Sequence, residues 1–151
     1  MGMGHHSRLF SIPLTLALTV AACGGNNTTS PSSTTTVASP TATETFAGTL
    51  PVGGSSFYSF VVAQNGTVNV TLVNVSAAAG VAANDVPSTV TLGLAIGTPS
   101  GTGCNGTVTN VTAGTDPQVT GTYAPGRYCV NVSDIGNLAA PAAFTATIAH
   151  P

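Results

Sequence analysis

Side chains able to do acid–base, nucleophilic or metal chemistry are scarce in this chain, and their positions restrict them further. Its 151 residues include three His, three Cys, two Arg, four Asp or Glu, and no Lys. A Ser-His-Asp arrangement would have to recruit His150, beside the last residue, and hold it rigidly against a Ser and an Asp. Paired carboxylates for glycoside hydrolysis could come only from Glu44, Asp85, Asp116 and Asp134. These fall in polar or turn-rich stretches, where an Asp side chain more often bonds its own backbone. Asp116-Pro117 and Ser133-Asp134 read as turn caps of that kind. No enzyme is expected, and a small hydrolase using His150, Asp116 and Asp134 ranks last among the readings.

The cysteines carry more information. Residues 1–22 have the three zones of an export signal: a short polar start with Arg8, an apolar run over residues 9–20, then small residues. The run is too short to span a bilayer, which takes about 20 apolar residues, and it contains Pro13. Val20-Ala21-Ala22-Cys23 resembles the bacterial lipobox. That likeness implies cleavage before Cys23, a diacylglycerol on its thiol, and a palmitate-bearing lipid anchor. A plain secretory cleavage near Ala22, leaving Cys23 as an ordinary thiol, is the alternative. His5 and His6 fall in the part to be removed.

Cys104 and Cys129 then remain as a pair on neighbouring β segments, and in an exported domain they read as a disulfide. The loop they close, about 25 residues, corresponds to roughly 3–4 kcal/mol in the chain-entropy model. A metal site would need further ligands near them, and no His supplies one. Cys129 is in phase with Asn131, opposite Tyr128, Val130 and Val132, which puts the bridge on the outer surface or an edge. No cofactor and no metal are expected.

Residues 24–44 are Ser, Thr and Pro with few apolar side chains, too polar to offset the entropy of ordering. With Cys23 they form an expected disordered tether over 23–44, spanning roughly 25 Å root-mean-square. From residue 45 the texture changes to short alternating runs punctuated by turn residues. The expected strands cover residues 45–50, 57–62, 67–75, 89–98, 103–112, 118–122, 127–133 and 144–149, with a loop over 77–87. Asn65-Gly66 marks a hairpin, since both residues tolerate positive φ. Val68, Val70 and Leu72 alternate with polar residues, and the phase then shifts to Val73 and Val75, as at a bulge or a strand end. Tyr58 and Phe60 keep step with Val62, and Tyr128 with Val130 and Val132, as core residues do; Phe57 and Tyr123 are ambiguous. The fold class is all-β, an antiparallel jelly-roll-like β-sandwich of about eight strands over 45–151.

Only 4% of residues are charged. Without the leader, Arg127 is the one fixed cation against four carboxylates. Nucleic-acid binding needs clustered Lys and Arg, so it is excluded, as is polybasic attraction to anionic lipid. The Asn-x-Thr/Ser triplets at Asn65, Asn69, Asn74, Asn105, Asn110 and Asn131 read as products of Thr- and Asn-rich strands.

The order of segments resembles the bacterial pre-peptidase C-terminal (PPC) domain family. The matching stretches are Glu44-Thr45-Phe46-Ala47-Gly48-Thr49-Leu50, SFYSFVV over 56–62, GTVNVTL over 66–72, LGLAI over 92–96 and APGRYCVNV over 124–132. The resemblance implies a non-catalytic module of secreted or surface proteins, some members binding collagen or polysaccharide and some calcium. This chain departs from the family in having no catalytic partner domain and no acidic cluster near the first strand. Calcium takes six or more oxygen ligands, and Glu44 alone is a poor substitute. The expectation is therefore a non-catalytic lipoprotein of the cell envelope, at the outer membrane or surface rather than the inner membrane. It would bind glycan or protein. The runner-up is an envelope-assembly lipoprotein holding another envelope protein through a sheet edge.

Overall fold

The computed structural model describes residues 36–151. The leader, Cys23 and the tether as far as residue 35 lie outside the described residues. Strands and turns make up the rest, apart from one 3₁₀ turn at Ala83–Asp85.

Nine strands form two antiparallel sheets. They are β1 (Ala42–Leu50), β2 (Ser55–Val62), β3 (Gly66–Ala77), β4 (Leu92–Ser100), β5 (Gly103–Gly106), β6 (Thr109–Val111), β7 (Val119–Tyr123), β8 (Gly126–Ser133) and β9 (Ala142–His150). One sheet runs β1-β9-β3-β7; the other runs β2-β8-β4-β5, with β6 also on β4. The expected β-sandwich is thus present, but the expected hairpin at Asn65-Gly66 is not: β2 and β3 lie in different sheets, and the turn carries the chain from one to the other. The ninth strand arises where one segment expected over 103–112 divides. Gly103–Gly106 pairs with the end of β4 and Thr109–Val111 with its start.

Alternation on each strand supplies the core. Phe46 and Leu50 of β1, Val68, Val70 and Leu72 of β3, and Phe144, Ala146 and Ile148 of β9 face Phe60, Val62, Leu92, Leu94, Ile96, Val130 and Val132 of the opposite sheet. Burying each such large apolar side chain stabilises the fold by about 1.5–3 kcal/mol. Val86, Val90 and Leu138 fill in from loops. Val90 keeps its inward place although its backbone is in a turn, its N–H donating to the Pro87 carbonyl, so β4 begins at Leu92 and not at residue 89. The phase shift after Leu72 is a bulge: β3 slips register against β9 between Leu72 and Asn74, leaving Val73 exposed and Val75 buried.

The folded unit starts earlier than expected. β1 takes in Ala42, Thr43 and Glu44, and Ala38 forms a parallel bridge to Gly66. Ala38 N–H donates to Asn65 C=O (3.0 Å), Thr67 N–H to Ala38 C=O (2.9 Å) and Thr41 N–H to His150 C=O (3.0 Å). Composition marked these residues as tether because their side chains are small and polar. The main chain orders them, because β9 and the start of β3 offer unpaired backbone groups.

Candidate functional site

Glu44, Tyr58 and His150 lie on three strands and meet between the sheets, on the side where edge strands β1 and β2 face each other. Glu44 and Phe46 point inward from β1, Tyr58 and Phe60 from β2, and His150 closes the inward row of β9. Phe46 stacks on Tyr58 with ring centroids 5.6 Å apart, and Phe60 lies 5.3 Å from the His150 ring. The Tyr58 hydroxyl donates to Glu44 Oε2 at 2.5 Å, and His150 Nε2 lies 2.9 Å from Glu44 Oε1. His150 is 7% exposed.

The charge state follows from those contacts. The Tyr58 bond, helped by the bond to and charge of His150, holds the Glu44 carboxyl below its ordinary value, against an opposing contribution from burial. The same bond, with the Glu44 charge, pushes the Tyr58 hydroxyl up. An ionised carboxylate only accepts, so His150 Nε2 carries the hydrogen of its bond to Glu44. The other ring nitrogen, Nδ1, is 3.4 Å from the Pro151 carbonyl oxygen.

A rigid His is therefore present, as acid–base chemistry would demand, but its carboxylate is Glu44. Among the described residues its ring bonds no Ser and no Asp. With a phenol and an imidazole both committed to one carboxylate, the arrangement ties β1, β2 and β9 together. The sequence hid it because Glu44 lies 106 residues from His150 and looked like tether.

Asp134 caps a turn, as its sequence context suggested. Its Oδ1 accepts from the N–H groups of Gly136 (2.9 Å), Asn137 (2.9 Å) and Leu138 (3.2 Å). Its Oδ2 accepts from Gly53 N–H (2.7 Å), and its own N–H donates to the Gly54 carbonyl. The β8–β9 loop is thereby clipped to the β1–β2 turn, where Gly53 at φ 68° needs the freedom of glycine. The Gly53 N–H foremost, then those of Asn137, Leu138 and Gly136, hold the Asp134 carboxyl below its ordinary value. Asp116 makes no comparable cap among the described residues.

Cys104 and Cys129 form the disulfide, joining β5 to β8 with Cα atoms 5.8 Å apart. Cys129 faces away from the core, yet it is fully buried because β5 folds over it. Gly97 of β4 makes this approach possible. It stands between Cys129 and Gly106 in the strand register, and a Cβ there would lie 1.8 Å from the Asn105 carbonyl oxygen. The bridge is on the outer surface, as its phase suggested, but under a cover of main chain.

Gln118 acts in a way the sequence did not signal. Pairing of β3 with β7 stops at Val70 and Val119, and the Gln118 amide continues it: Oε1 accepts from Leu72 N–H (2.7 Å) and Nε2 donates to Leu72 C=O (3.4 Å). Of the ambiguous aromatics, Tyr123 packs edge-on to Tyr128 (4.9 Å) and Phe57 stands on the outer face, 37% exposed. Among the described residues no three His, Cys, Asp or Glu side chains converge as metal ligands, and no cavity opens. No protein-family model and no curated protein matches the chain.

Proposed function

We propose that this chain is a membrane-anchored lipoprotein of the bacterial cell envelope. On this reading its PPC-like sandwich is a non-catalytic module that binds glycan or protein outside the cytoplasm. The single observation that carries the reading is Val20-Ala21-Ala22-Cys23, directly behind an apolar run of export-signal length. A disulfide inside the folded unit agrees with an oxidising compartment. From Cys23 to Ala38, the first backbone bond among the described residues, fourteen residues of chain (24–37) would separate lipid from domain. The low charge and the Thr, Ser and Asn side chains on the outer faces suit a neutral, hydroxyl-rich ligand better than an ionic one.

Mass spectrometry of the mature N-terminus tests the anchor. The expected product begins at Cys23 carrying diacylglycerol, and Cys23→Ser releases the protein from the membrane fraction. A free thiol on a membrane-free chain would remove the localisation and leave the sandwich intact. A glycan and matrix-protein array then tests the ligand class, and an array with no binder would leave the envelope-assembly reading. The edge of β2, which pairs only with β8 among the described residues, is the specific feature in favour of that second reading.

A further inference from the structure

Four edges terminate the two sheets; two of them are short, and a third presents only small side chains. β7 is five residues long, and Gln118 and Gly114 take up the β3 backbone beyond it. β5 and β6 are short and separate. β1 presents Thr43, Thr45, Ala47 and Thr49 on its outer face, a row without large apolar side chains. β2 is different. Its eight residues contain no charge, Pro or Gly, and among the described residues it pairs only with β8. Phe57 and Val61 on its outer face are 37% and 55% exposed, with exposed Ser59 between them. Natural edges are usually protected by Lys, Pro, a bulge or shortness, and β2 has none of these.

We propose that β2 is a dimerisation edge: it pairs antiparallel with β2 of a second copy of this chain about a two-fold axis at Ser59, making one continuous sheet. The sequence of the strand selects this occupant. Phe57 and Val61 are equally far from Ser59, so Phe57 of each copy falls opposite Val61 of the other. An aromatic beside a β-branched residue is a favourable cross-strand pair, and it forms twice. Tyr58 falls opposite Phe60 of the second copy, and all of residues 56–62 find partners. Two-fold self-complementarity of this kind closes the assembly at two chains.

Charge agrees with the pairing. No like charges meet, because the strand has none. Arg127 is exposed and sits beside Val61 on β8, so the row across the new junction reads Arg127, Val61, then Phe57 of the second copy. Two strand spacings, roughly 9–10 Å, are within reach of an extended Arg, whose guanidinium can then cover that ring. An edge of this length buries less than the roughly 1,200 Å² of a standard interface, so the dimer is weak. Two copies confined to one membrane would raise its occupancy. The edge argument does not itself depend on the anchor.

The test uses the full chain in membranes. Differently tagged Phe57→Cys and Val61→Cys chains are co-expressed, and covalent dimer is read on non-reducing gels. In this register position 57 meets position 61 and neither meets itself, so the mixture should crosslink about ten-fold more than either variant alone. The wild-type chain gives the background without an added cysteine, and an intact Cys104–Cys129 disulfide reports correct folding. In detergent, Val61→Lys should shift sedimentation to monomer while Thr45→Lys does not. Equal crosslinking in the mixture and the single variants, capture of a different protein by both cysteines, or a dimer indifferent to Val61→Lys would each overturn the proposal.

Discussion

Replacing both Cys104 and Cys129 with Ala should remove about 3.5 kcal/mol of stability, the chain-entropy value for residues 25 apart. Ala is the right substitute, since Cys129 is fully buried and a Ser hydroxyl there would be left without a partner. Domains of this size are commonly stable by about 5–15 kcal/mol, so the variant should fold but with a large share of its margin gone. The transition temperature should drop by roughly 15–25 °C, and the urea m value should rise because the unlinked unfolded chain exposes more surface. Urea unfolding of the oxidised protein, the double variant and the reduced wild type supplies the comparison. The latter two should coincide. Local protection should fall first at Gly103–Gly106, which covers Cys129 and is paired only with β4. A difference below about 1 kcal/mol between oxidised protein and variant would refute the reasoning, because the unfolded state would then not be restricted by the bridge.

Glu44 makes stability depend on acid. Its folded-state carboxyl lies below the ordinary 4.5, so the unfolded chain takes up the proton first. Its contribution is therefore complete above pH 4.5 and is lost as pH falls through the lowered value. Glu44→Gln should cost about 1 kcal/mol at neutral pH, after allowing for screening of a half-exposed carboxylate, and should flatten the acid limb in a pH series of urea melts. An unchanged acid limb would show that the Glu44–Tyr58–His150 contact does not bear on stability. Gly97→Ala should destabilise by about 1–3 kcal/mol, because its Cβ would collide with the Asn105 carbonyl, and thiol titration should detect free Cys104 and Cys129. Full oxidation with an unshifted melt would refute the close approach of β5.

Local alternation made most of the core legible. In a strand successive side chains change face, so Leu92, Leu94 and Ile96, or Val68, Val70 and Leu72, identify their inner faces without reference to any partner. The break in phase after Leu72 located the bulge for the same reason. Asp134 was recognisable as a cap because its bonds to Gly136, Asn137 and Leu138 are local. Its clip to Gly53, 81 residues away, was not. The start of β1 was missed because Ala42, Thr43 and Glu44 carry little apolar signal, and their order comes from the register with β9.

By itself, then, the sequence determined the all-β class, the inner faces of the strands and the pairing of Cys104 with Cys129. Each depends on short-range periodicity or on two Cys falling in neighbouring β segments. The tertiary structure alone decided that Glu44, Tyr58 and His150 share one contact, that β5 crosses Gly97 to cover Cys129, and that β2 is left as an edge. Those outcomes depend on which strands become neighbours and in what register. Strand order is a global compromise of core burial and backbone hydrogen bonding, and no window of local pattern contains it.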